Sequence, residues 1–152
     1  MSGPAALSRP GTAPWRQAQA ARLLAFGRGS LLPGGGFGWL TEQGTADLRR
    51  PRPLYIAARM TYAYSLAYLD THDVQARQAA LSGLASLTAR YADSENGGWY
   101  AGLDHERRVS AGTKANTDPA PVLLPSATPL AAGIPPAAAV LHPAPTNHPA
   151  PP

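Results

Sequence analysis

Apolar residues recur at helical spacing in three stretches of the chain, and glycine breaks the pattern between them. The first is TAPWRQAQAARLLAFGRG, where Trp15, Ala18, Leu23 and Phe26 form an imperfect apolar stripe. Thr12 can cap this helix, and Pro14 fits its first turn, where a missing N–H costs nothing. Gly27 and Gly29 end it. The second is RPLYIAARMTYAYSLAYLD, with Pro53 suited to its first turn. Leu54, Ala57, Ala58, Thr61, Tyr64, Ser65 and Tyr68 fall on one small-residue face, which Ile56, Met60 and Ala67 widen. A helix this apolar nearly all round predicts an inner helix, packed on both sides. The third is VQARQAALSGLASLTARYA, capped by Asp73. Leu81, Leu84, Thr88 and Tyr91 share its apolar face, while Arg77 and Arg90 are expected in water, so it reads as an outer helix.

The glycine-rich connections resemble each other. GGFGWLTEQG (35–44) and GGWYAGLDHE (97–106) each read Gly-Gly, aromatic, a short extended piece, Leu and a polar turn. One inner and one outer helix lie between them. A loop that recurs once per helix pair predicts a repeat architecture, here with a period of about sixty residues. Its closed form is an α/α barrel: inner helices line a pocket, outer helices cover them, and the glycine–aromatic loops roof one end.

Composition divides the chain near Lys114. Of 17 prolines, eleven follow that lysine. Residues 1–11 read as a disordered tail, 12–114 as the ordered domain, and 115–152 as a disordered Pro/Ala-rich tail. The formal charge is +4, but twelve of the thirteen basic residues are arginines scattered along the chain. The one cluster, Arg49–Arg52 (RRPR), reads as a solvated loop, so no nucleic-acid partner is expected. The absence of cysteine excludes disulfides and thiolate metal sites. MSGPAALSRPG has no apolar core of a secretory signal, and no apolar run reaches the length of a membrane span. A cytoplasmic protein that does not enter a membrane is the expectation, with its oligomeric state open.

Taken together, GGGFGWLTEQG, LYIAARMTYAYSLAY and GGWYAGLD, followed by Lys114, resemble the N-terminal part of the N-acylglucosamine 2-epimerase family, which includes mannose isomerase and sulfoquinovose isomerase. The likeness covers roughly Trp15 to Lys114. It implies an all-α fold, a partial (α/α)6 barrel of about three helices with its glycine–aromatic loops. It also implies the chemistry: a sugar enters the pocket, and a histidine moves a proton at C2 through an enediolate. The product is a C2 epimer or an aldose–ketose isomer of a mannose- or N-acylglucosamine-like sugar. That chemistry needs a base titrating near neutrality and donors for oxyanion charge. No cofactor and no metal enter it.

Carried over residue by residue, the family's motif arginine corresponds to Arg59, a catalytic-site donor for a sugar carbonyl or hydroxyl. Tyr55, one helical turn earlier, stands where the family often has Trp, and Tyr100 matches a position at the pocket mouth; both are expected to bind substrate. Each also has a structural alternative, Arg59 as a satisfied scaffold arginine and the tyrosines as core. Phe37 and Trp99 are expected to pack the loops down, and Trp39 and Trp99 to be core residues rather than stacking platforms. The family's proton-transfer histidines lie on later helices. His72 and His105 fall in turns, and His142 and His148 in the proline tail, so all four are expected in solvent.

The likeness breaks after Lys114. The family continues with an apolar helix carrying Tyr and His-Ala-Phe, whereas this chain reads KANTDPAPVLLPSAT in the same register. One interior proline costs a helix about 3 kcal/mol, so Pro119, Pro121, Pro125 and Pro129 together forbid it. A frameshifted or decayed coding sequence and a genuine proline-rich linker compete as explanations, and the retained register of APVLL favours the former. Two function classes follow. One is a truncated sugar epimerase/isomerase homologue, inactive in this form and only marginally stable. The other is a non-catalytic helical interaction fragment with a Pro-rich tail.

Overall fold

The computed structural model describes residues 9–109. The expectations for the first eight residues and for the proline-rich stretch 115–152 lie outside the described residues.

Three helices form: α1 (Ala13–Gly27), α2 (Leu54–Thr71) and α3 (Val74–Ser86), the last running into one π-helical turn, Leu87–Tyr91. The expected small-residue face of α2 is the buried one except at its end, where Tyr68 is only partly buried and Ala67 is buried instead. Leu54, Ala57, Ala58, Thr61, Tyr64, Ser65 and Ala67 are all buried, most of them against Ala76, Ala79, Ala80 and Leu84 of α3. Alanines and Gly83 at the contact keep both helices close, and Phe37 from the first loop closes the core by stacking on Tyr64 (5.5 Å between ring centres, 3° between planes).

Asp73 caps α3 as expected, accepting the N–H groups of Gln75 and Ala76. Two other terminal expectations are corrected. Thr12 occupies the cap position of α1, but its hydroxyl donates back to the Arg9 carbonyl. Pro53 stands one residue before α2, in extended conformation, because it belongs to a two-residue antiparallel ribbon of β1 (Arg52–Pro53) and β2 (Gly102–Leu103). The α1 stripe is also corrected. Leu23 and Phe26 are 70% and 50% exposed. The helix docks instead through its C-terminal end, where the Tyr64 hydroxyl donates to the Leu24 carbonyl at 2.7 Å and Gly27 lies over Tyr64 and Met60.

The two glycine–aromatic loops repeat bond by bond. Each opens with one antiparallel bridge, Leu31 to Phe37 in the first and Ala92 to Trp99 in the second. Each then forms a second hairpin, bridged Leu40 to Ala46 and Leu103 to Val109. The turns within these hairpins match: Thr41 N–H donates to Thr45 O as Asp104 N–H donates to Arg108 O. The first side chain accepts from the fifth backbone N–H in both, Thr41 Oγ1 from Thr45 and Asp104 Oδ1 from Arg108. The fourth residue is left-handed in both, Gly44 at φ 78° and Arg107 at φ 70°. The Arg108 N–H also holds the Asp104 carboxyl below the ordinary carboxylate range. Among the described residues no helix is long and apolar enough to cross a membrane.

Two buried tyrosines make the fold sensitive to alkali. Burial pushes Tyr64 and Tyr91 up to about 12 from an ordinary value near 10. Below pH 10 both folded and unfolded chains keep these protons, and the contribution is complete. Between pH 10 and 12 the unfolded chain ionises first, so stability falls, by about 3 kcal/mol for each tyrosine once both states are ionised. Helical circular dichroism followed from pH 8 to 12 should show the loss in that window. A flat profile through pH 12 would contradict it.

Candidate functional site

The site grows from the N-terminal end of α2. The ribbon sets that end: Leu54 N–H donates to the Ala101 carbonyl at 2.9 Å, and Pro53 pairs with Gly102. Beneath the ribbon the buried Tyr91 hydroxyl donates to the Arg52 carbonyl at 3.1 Å. These bonds bring the second loop, and Tyr100 with it, beside the first turn of α2. Tyr100 is half-buried there, its own N–H bonded to the Tyr91 carbonyl.

The face of α2 opposite the core is open among the described residues. Tyr55, Arg59, Leu66 and Leu69 lie along it at helical spacing and are all exposed, Tyr55 by 40%. Arg59 lies over the Tyr55 ring at 5.5 Å from its centre. Trp39 meets the same ring edge-on (6.3 Å, 81°), and Arg50 stacks over Trp39 at 4.0 Å. The result is a ladder, Arg50–Trp39–Tyr55–Arg59, that joins the first loop to the inner helix through cation–π and edge contacts. Among the described residues Arg59 makes no hydrogen bond or ion pair. Among these residues its donors are therefore open to an oxygen-rich ligand.

Sequence reasoning missed two members of the ladder. The sequence places Trp39 in the core with Trp99. Phe37 is 1% exposed and Trp99 packs on the core, but Trp39 turns outward to Tyr55. Arg50 was read as part of a solvated RRPR loop. Its alternation with Trp39 is invisible along the chain because the hairpin, not the sequence spacing, joins them. Arg52 of the same run departs further: it is only 6% exposed, lying in β1. The histidines stand as expected, with His72 in the left-handed turn after α2 and His105 in the second loop, both exposed. His142 and His148 lie outside the described residues. No cluster of metal-ligating side chains occurs among the described residues. The ladder can thus bind and orient, but an arginine stays charged across the physiological range and does not take a proton.

The sequence matches the N-acylglucosamine 2-epimerase (GlcNAc 2-epimerase) family over residues 35–148, about three quarters of the chain. The chain belongs to this family. It is 32% identical over 119 residues to a D-mannose isomerase of Thermobifida fusca, an alignment covering 78% of this chain and 29% of that protein. Among solved structures, a D-mannose isomerase superposes with a TM-score of 0.69 at 25% identity, over 86% of this chain and 35% of that one. The cellobiose 2-epimerase of Spirochaeta thermophila DSM 6192 superposes at 0.67 and 20% identity, over 87% and 35%. The chain therefore spans about a third of the length of these epimerase-family proteins, and its fold is the corresponding part of an (α/α)6 barrel.

Proposed function

We propose that residues 12–114 are the N-terminal portion of a sugar epimerase/isomerase barrel and that the open face of α2 is its contribution to the sugar pocket. The single observation that carries this reading is Arg59, a guanidinium on that face which, among the described residues, rests on the Tyr55 ring alone; by resemblance it stands at the family's motif position. Arg59 donates hydrogen bonds to a sugar carbonyl or hydroxyl, with Tyr55 and Tyr100 beside it, and stabilises negative charge as C2 loses its proton. The substrate class is mannose- or N-acylglucosamine-like. By family resemblance the base is a histidine of a later helix, and none of the ladder residues replaces it.

The 152 residues by themselves are then inactive. Incubated with mannose or N-acetylglucosamine in deuterium oxide, they should exchange no C2 proton above the buffer rate. Measurable exchange would overturn that assignment. The open face supports a second reading, a helical fragment that docks through Leu66 and Leu69, which are 43% and 39% exposed. In either case the chain alone should bind a hydrophobic dye and melt broadly, whereas a sharp melt of a monomer would contradict the open face.

The family match runs on to residue 148, through the proline-rich stretch. This supports an origin of that stretch in the family's own sequence over a linker of separate origin; the altered-frame reading rests on the retained register of APVLL alone. Reading the DNA beyond codon 114 in all three frames tests it. Barrel helices should resume in one of them, and none in any frame would count against the idea.

A further inference from the structure

Away from the ladder, three arginines from three parts of the chain converge where the two loops meet. Arg90 of the π-helical turn donates through Nη2 to the Gly34 carbonyl at 2.8 Å. Arg107, from the turn of the second loop, lies against Gly34 from another side, so closely that a Cβ there would collide with its Nη1. Gly34 has φ +84°, so both its conformation and its missing side chain make room for the two heads. Arg52 lies beneath the second loop with Nη2 on the His105 carbonyl at 3.4 Å, and its buried Nε has no hydrogen-bond partner. Burial first, then the charges of Arg107 and Arg90, lower the pKa of Arg52 against the opposing influence of Tyr91 and Asp104, which places both arginines within reach of its charge.

Among the described residues the carboxylate of Asp104 acts on Arg52, but it is shared with Arg108. Asp104 and Glu106 both pair with Arg108, at 3.1 and 2.5 Å. Among the described residues the Arg107 side chain makes no hydrogen bond or ion pair, and Arg90 makes only its bond to a neutral carbonyl. Gathering guanidinium groups around one shared carboxylate is unfavourable, by about 1 kcal/mol per close pair even in water and more where solvent is excluded. An oxyanion with several acceptor oxygens relieves this, because each planar guanidinium presents paired donors to it.

We propose that the Gly34–Arg90–Arg107 junction, with Arg52 beneath it, binds a phosphoryl group, as free phosphate or as a phosphate ester. It shares no residue with the ladder and does not rest on the sugar reading. Arg107 is exposed, so the ligand arrives from solvent and bridges the two loops. Bound there, it ties the first loop to the turn of the second and so fixes the end of the helix pair where Tyr55 and Tyr100 sit.

Equilibrium dialysis of the full 152-residue chain against radiolabelled inorganic phosphate, at an ionic strength fixed with sodium chloride, tests this. Saturable binding of one phosphate per chain is expected. Arg107→Ala and Arg90→Ala should each weaken it about tenfold, the cost of one charge-assisted contact, while the remote Arg22→Ala leaves it unchanged. If Arg107→Ala loses helical circular dichroism, Arg107→Lys decides, with weakened binding expected from an intact fold. Competition by a hexose 6-phosphate stronger than by phosphate assigns the site to a phosphorylated sugar. Equal competition assigns it to free phosphate, and both uphold the proposal. The absence of saturable binding, displacement by acetate as readily as by phosphate, or binding unchanged in both alanine variants overturns it.

Discussion

Gly83→Ala should loosen the α2–α3 pair by about 2 kcal/mol or more, although alanine is the better helix former by about 1 kcal/mol. The reason is the closeness of the two helices. A Cβ at Gly83 would collide with Thr61 Oγ1, and would stand 3.0 Å from Thr61 Cβ and 2.9 Å from Phe37 Cε2. Neither neighbour can yield. Thr61 is fully buried and its hydroxyl is committed to the Ala57 carbonyl at 2.7 Å. Phe37 is stacked on Tyr64 and walled in. The variant should lose protease resistance and lose helical circular dichroism at lower urea than the parent chain. Adding Thr61→Ala should restore part of the loss, because the colliding hydroxyl is gone. The control Ala85→Gly, on the exposed side of the same helix, should cost only about 1 kcal/mol through propensity. Equal or greater stability of Gly83→Ala would mean that the helices do not meet there.

Arg59→Ala should remove most of the activity that this segment supports in a complete barrel. The test is a graft: residues 35–109 replace the matching segment of the Thermobifida fusca D-mannose isomerase. In the graft, Arg59→Ala should lower kcat/KM by roughly 10²–10³-fold, the usual loss for one donor aimed at developing oxyanion charge. Arg59→Lys should recover only part of it, since an ammonium supplies charge without the planar fork. The loss should fall chiefly on kcat, because the donor matters most when C2 carries charge. An unchanged kcat/KM in the alanine variant would remove Arg59 from the site. So would a folded graft that stays inactive with Arg59 in place.

Much of the fold was legible along the chain because helical periodicity records burial directly. The face of α2 from Leu54 to Ser65 was readable residue by residue, as was the Asp73 cap, whose carboxylate sits beside the N–H groups it accepts. The repeated loops were legible as words, GGFGWLTEQG and GGWYAGLDHE, and their turns proved to share hydrogen bonds as well as letters. What failed were positions decided by neighbours distant in sequence. Arg52, read with the solvated RRPR run, is buried in β1, and Arg90, half-exposed as a water-facing residue can be, also donates to Gly34, 56 residues away. The apolar stripe of α1 turned outward because Tyr64 and Met60 receive its C-terminal end instead.

The candidate site divides in the same way. Arg59 and Tyr55 were accessible to sequence because one turn of helix places them together, whatever surrounds the helix. Trp39 and Arg50 were not, since the first loop's hairpin alone brings the tryptophan edge against Tyr55 and the guanidinium over the indole. The sequence by itself determined the three helices, which face of α2 is core, and the family to which the chain belongs. These follow from local spacing and from motif residues that stay close along the chain. Only the tertiary structure decided that Arg52 is buried, that Trp39 joins the ladder, and that Arg90 and Arg107 meet at Gly34. Those outcomes depend on contacts across more than forty residues in the last case, and no periodicity in a chain encodes where a distant loop will come to rest.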